Sequence, residues 1–135
     1  MVLPCETSVI AVKATDLHVV GGILASTVDG SILTNSSWKC TNVYYDGWQL
    51  VNFDDSSWPS AYAIALHQTL PWTLVPGIKT NAYWIWTPKY QGGDLVVYCR
   101  KDLGKISVFM PEQKILCAYL IMLNGYYDIK QIVNR

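Results

Sequence analysis

A chain of 135 residues and 15.2 kDa is the size of one domain and can bury a substantial hydrophobic core. Its ten basic and ten acidic side chains cancel, so no net field gathers nucleic acid or an anionic membrane surface, and a charged fraction of 15% argues against disorder. The aromatic residues are mainly Tyr (nine) and Trp (six), against two Phe, a mixture suited to strands whose rings are buried while their polar tips reach water or a ligand.

Val9 to Ala14 alternates as a first strand with Ile10, Val12 and Ala14 on one face, and Thr15 to Val20 reads as a loop. Gly22 to Val28 and Ser31 to Thr34 flank Asp29-Gly30, the dipeptide that supplies the positive φ values of a tight hairpin turn. Asn35-Ser36-Ser37 is an N-glycosylation sequon, a triplet short enough to recur by chance. Trp38-Lys39-Cys40-Thr41 is a short strand, Asn42 to Gly47 a loop, and Trp48 to Asn52 leads into a corner.

The corner is Phe53-Asp54-Asp55-Ser56-Ser57-Trp58-Pro59, followed by the apolar strand Ser60 to Leu66. Asp and Ser side chains capture nearby backbone N–H groups in such turns, and Pro59 biases the residues before it towards an extended exit. His67 to Thr80, with Pro71, Pro76 and Gly77, is a surface loop carrying Trp72. Tyr83 to Thr87 is a strand whose alternation places Trp84 and Trp86 on one face. After a turn from Pro88 to Asp94, the strand Leu95 to Lys101 sets Leu95, Val97 and Cys99 against Val96, Tyr98 and Arg100. Many short strands with frequent turn signals indicate an all-β, antiparallel sandwich.

The composition changes after Gly104. Glu112 to Leu123, following Pro111 and ended by Asn124-Gly125, reads as a helix. Its apolar run from Ile115 to Leu123 is far short of the ~20 residues that cross a bilayer, so no membrane span is expected.

Chemistry-bearing patterns are few. Cys5, Cys40, Cys99 and Cys117 show no Cys-x-x-Cys spacing, and His18 and His67 are the only histidines, which argues against a zinc site. Cys40 and Cys99 both fall on strands, either joined by a cross-sheet disulfide in an oxidising compartment or buried as thiols. Adjacent Asp54 and Asp55 in a turn suit backbone amides better than a scissile bond held between two carboxylates. Neither Ser56 nor Ser57 lies in a nucleophile elbow, His67 reads as a strand-end histidine, and there is no glycine-rich phosphate loop. No catalytic group, metal or cofactor is therefore expected.

Binding is the better candidate. Sugars offer apolar C–H faces to aromatic rings and hydroxyls to paired donors and acceptors, so a site wants exposed Tyr or Trp beside Asp, Asn or Arg. Tyr44, Tyr45, Asp46, Trp72 and Asn81 lie in expected loops and are the candidate ligand residues. Trp38, Trp58, Trp84 and Trp86 lie in or beside strands and are expected in the core, while Arg100 suits Asp54 or Asp55 inside the fold as well as it suits a ligand.

Trp38-Lys39-Cys40, the corner Phe53 to Ala61, Trp84-Ile85-Trp86 and Tyr98-Cys99-Arg100, in that order, resemble the galactose-binding-like jelly roll over Val9 to Leu103. The resemblance implies a domain over 9–104 and an atypical tail over 105–135 that lies outside the sheets and is dispensable. It implies Asp54, Asp55, Trp58, Trp84, Trp86 and Arg100 as structural residues, a Cys40–Cys99 bridge, and an extracellular or cell-surface setting in which Asn35 could carry a glycan. A glycan or glycoprotein is the implied partner. A structural or protein-interaction sandwich and an accessory domain of a larger glycosidase are the alternatives. Met1 to Glu6 has neither the basic nor the apolar region of a secretory leader, so export is expected to need a leader this chain lacks.

Overall fold

The computed structural model describes residues 2–3, 7–16, 21–70, 73–88, 95–104, 116–120 and 125–133. These form nine strands: β1 (Val2–Leu3), β2 (Thr7–Asp16), β3 (Ala25–Thr27), β4 (Lys39–Thr41), β5 (Tyr62–Leu66), β6 (Tyr83–Trp86), β7 (Val96–Asp102), β8 (Leu116–Leu120) and β9 (Gly125–Val133). Every pairing is antiparallel, and no helix occurs among the described residues. The sheets run β4-β7-β2-β9, β1-β8-β3 and β5-β6.

Strands β2 and β7 of the four-stranded sheet are apolar on both faces because they alternate two sets of buried side chains. Ile10, Val12 and Ala14 of β2, Val97 and Cys99 of β7 and Cys40 of β4 join Ile23, Trp38, Ala61, Ile85 and Trp86 in one cluster, so this face packs against β6. Val9, Ala11 and Tyr98 point the other way and are roofed by Trp48 and Trp58, with Val51 and Phe53 at the margin. A third cluster of Leu24, Val75, Ile78, Ala82 and Trp84 lies under the 73–82 segment. Cys40 stands opposite Cys99 in the β4–β7 register, and their sulfurs are 2.04 Å apart, the separation of a disulfide. The link thus joins neighbouring strands of one sheet instead of crossing between sheets.

Two expectations about the tail are corrected. The segment from Glu112 to Leu123 was expected to be helical, but Leu116–Leu120 is strand β8 and pairs with β1 and β3. The 105–135 tail was expected to lie outside the sheets, but β9 extends the four-stranded sheet along β2, from Asp16↔Gly125 to Thr7↔Val133. Apolar runs read as helix or strand by length and neighbours, and here the run found open strand edges.

The Asp29-Gly30 turn is also built differently. Gly30 has φ +74°, whereas Asp29 is not among the positive-φ residues, so a two-residue turn with positive φ at both positions does not form. The loop closes on the Asp29 carboxylate instead. Asp29 Oδ1 accepts from Thr27 Oγ1 at 2.7 Å, Ser31 N at 3.0 Å and Ser31 Oγ at 2.7 Å, and Thr27 N donates to Ile32 O at 2.9 Å. Trp84 and Trp86 are both buried, each in a different cluster. Trp84 lies on the bare backbone of Gly22, where an added Cβ would meet its Cε3 at 2.9 Å.

Candidate functional site

The corner is held from below by Arg100. Alternation on β7 puts Arg100 on the same face as Tyr98, and its side chain is 1% exposed. Arg100 Nε donates to Asp55 Oδ2 at 3.0 Å and Nη1 to Trp48 O at 2.9 Å, while the guanidinium lies 5.3 Å from the Phe53 ring centroid. One buried cation therefore gathers the carboxylate and a carbonyl of the 48–55 segment under an aromatic ring. Burial pulls the guanidinium below its ordinary pKa, and the Asp55 carboxylate pushes it back up.

Asp55 is the partner of the two that the sequence left open. Its other oxygen takes Lys39 Nζ at 3.3 Å, and Lys39 also donates to the Asp55 carbonyl at 3.0 Å. Asp54 faces water and accepts the Ser56 N–H at 2.9 Å, and the side chain and backbone of Ser56 hold its carboxyl below the ordinary value. Trp58, 5% exposed, meets Phe53 edge-on at 5.6 Å between ring centroids. Pro59 O accepts from Cys40 N at 3.1 Å, and Ala61 N donates to Trp38 O at 2.7 Å, which ties the exit of the corner to β4.

Loop 42–47 sits on this roof. Tyr44 is 60% exposed and packs edge-on against Tyr98 at 5.7 Å; Tyr45 is 42% exposed and leans on Trp58 at 5.9 Å and Phe53 at 6.1 Å. Asp46 is exposed beside them, and Trp48 N donates to Tyr45 O at 3.2 Å to close the turn. Two rings are thus braced on one side and open on the other, and the next residue of the loop carries a solvated carboxylate. This arrangement can stack an apolar ligand face and accept hydroxyl hydrogen bonds.

The structure does not gather all five candidate ligand residues. Tyr44, Tyr45 and Asp46 share one loop, whereas Asn81 lies in the turn where Ala82 N donates to Lys79 O, beside the Trp84 cluster. Trp72 lies outside the described residues, as do Cys5 and His18. His67 is buried with both ring nitrogens engaged. Its Nε2 accepts the Val75 N–H at 2.8 Å, which assigns the proton to Nδ1 for donation to Lys79 O at 3.0 Å. His67 thereby staples the loop after β5, a role its neighbours Ala65 and Leu66 did not advertise.

Tyr98 as the support of Tyr44 was also missed, although the β7 alternation that pairs it with Arg100 contained the signal. Lys39 as the second cation on Asp55 left no trace in spacing. Among the described residues no cluster of His, Cys, Asp or Glu could hold a metal ion, and no helix is long and apolar enough to cross a membrane. Compared with known proteins, the chain matches no family model, no curated protein and no solved structure.

Proposed function

We propose that this chain is a non-catalytic carbohydrate- or glycoconjugate-binding module of a secreted or cell-surface protein, folded as a galactose-binding-like jelly-roll sandwich. The observation that carries the proposal is the ledge of Tyr44, Tyr45 and Asp46: two half-open rings and an exposed carboxylate on a loop braced by Tyr98, Phe53 and Trp58. Bracing matters because a ring already fixed in position loses little freedom when a sugar stacks on it. The sandwich is supported by the cluster that the four-stranded sheet shares with β6, and the extracellular setting by the Cys40–Cys99 disulfide distance. A non-catalytic role is supported by Asp55 being committed to Arg100 and Lys39, and His67 to Val75 and Lys79.

The test is a glycan array probed with the full chain produced behind an added secretory leader. Retention of a glycan class by the parent and its loss in Tyr44→Ala and Asp46→Asn is the expected result. These two exposed positions can change without opening the core. A broad array that retains nothing, or retention unchanged in both variants, overturns the proposal and favours a structural or protein-interaction sandwich.

A further inference from the structure

The turn before β4 carries chemistry that the tyrosine ledge does not use. Thr34 is buried and locked, its Oγ1 donating to Tyr83 O at 2.7 Å, and Trp38 is 1% exposed. Between these two anchors the chain surfaces as Asn35-Ser36-Ser37, with Asn35 half-buried and both serines exposed. Asn35 Oδ1 accepts the Ser37 N–H at 2.9 Å, and Asn35 O accepts the Trp38 N–H at 3.2 Å. Both oxygens of Asn35 are therefore spent within the turn, while its Nδ2 makes no hydrogen bond among the described residues. The hydroxyl of Ser37, the third residue of the sequon, accepts from Lys101 Nζ at 2.8 Å across 64 residues of sequence.

We propose that Asn35 is an N-glycan acceptor and that the transfer precedes folding. The Asn35 Nδ2 holds none of the contacts of the turn and is flanked by two exposed serines, so a glycan on Nδ2 displaces no hydrogen bond of the finished fold. The same oxidising compartment that would form the Cys40–Cys99 link is the one in which Asn-x-Ser acceptors are modified. In the transfer, Asn35 Nδ2 forms a bond to the anomeric carbon of a lipid-pyrophosphate-linked oligosaccharide. The anomeric C–O bond breaks with its electron pair remaining on the pyrophosphate, and the Nδ2 proton passes through a carboxylate of the transferase to water.

The order follows from the contacts. Once β7 lies beside β4, Ser37 Oγ is held by Lys101 and the backbone of Asn35 is pinned to buried Trp38. A transferase that must draw Asn-Ser-Ser into its own cleft would have to break these contacts and lift a core tryptophan. Before β7 arrives, neither the Lys101 contact nor the cluster that buries Trp38 has formed, and the turn is held only by its own local hydrogen bonds.

The experiment translates the full chain, behind an added secretory leader, in the presence of microsomes. Expected is one mobility shift, removed by peptide N-glycanase and absent from Asn35→Asp and Ser37→Ala. Asn35→Asp retains an Oδ acceptor for the Ser37 N–H, so a missing shift there reports loss of the acceptor nitrogen and not loss of the turn. A second arm offers purified, folded, unmodified parent and its urea-unfolded counterpart to solubilised transferase with the lipid-linked donor. Modification of the unfolded chain alone is expected. No shift in the first arm overturns the site, and equal modification of folded chain in the second overturns the order.

Discussion

Replacing Asp55 by Ala removes the carboxylate that receives Arg100 Nε at 3.0 Å and Lys39 Nζ at 3.3 Å, leaving a guanidinium that is 1% exposed without its counter-charge. Breaking a buried pair from one side costs ~3–5 kcal/mol. Asp55 retains 16% side-chain exposure and Arg100 still reaches the Trp48 carbonyl, so the lower end, ~3 kcal/mol, is expected. With a urea slope of ~1–3 kcal/mol/M, that lowers the unfolding midpoint by ~1 M or more when tryptophan fluorescence is followed. Asp54→Ala, one residue away, removes only an exposed turn contact and should leave the midpoint close to that of the parent. Asp55→Ala combined with Arg100→Met should cost less than the sum of the two, because no buried charge is then left alone. A midpoint that falls as far for Asp54→Ala as for Asp55→Ala would refute the assignment of the corner to Arg100.

Trp58→Ala empties a buried site against Phe53 and Tyr45 and should cost ~3–5 kcal/mol in the same urea assay; an unmoved midpoint would deny Trp58 its place in the roof. Peptide mapping without reduction of chain exported through an oxidising pathway should recover Cys40 joined to Cys99, and finding both thiols free would contradict the register that sets them opposite. Truncation after Gly104 should lower the melting temperature and promote self-association, since it strips β9 from β2 and bares a long strand edge; light scattering and calorimetry showing neither would make the tail dispensable. Asp54, held below its ordinary pKa by Ser56, contributes stability that is present above the ordinary carboxylate range and fades as pH falls through the lowered value. Urea midpoints across the acid limb should therefore be flatter for Asp54→Asn than for the parent.

Legibility in the sequence followed the range of the interaction. The apolar stretches from Val9 to Ala14 and from Leu95 to Lys101 identified β2 and β7, and the period of two assigned their residues to two faces that the fold buries separately. The polar corner was readable for a local reason, as Asp54 accepts from Ser56 two residues on. What could not be read was choice among equivalents. Asp54 and Asp55 are chemically identical neighbours, and only the β7 register, which brings Arg100 to the 48–55 turns, selects Asp55. The tail failed likewise, since the apolar residues from Ile115 to Leu123 suit helix or strand, and the selecting feature is an open edge formed by segments far away in sequence.

The proposed ledge shows why such a site would be hard to see from residues alone and what the fold adds to it. Tyr44, Tyr45 and Asp46 in isolation are a polar loop, and an unsupported loop would surrender much of any stacking gain to ordering its rings. Two residues of β7 alter that balance. Tyr98 meets the Tyr44 ring directly, while Arg100 fixes the turns that hold Phe53 and Trp58 against Tyr45. Since Val97 and Cys99 from the same strand are buried in the opposite cluster, the strand that braces the rings is itself locked on its other face. The loop is thus braced from the core through alternate residues of one strand, and the surface that the proposed ligand would use is the part of the two rings that Tyr98, Phe53 and Trp58 do not cover.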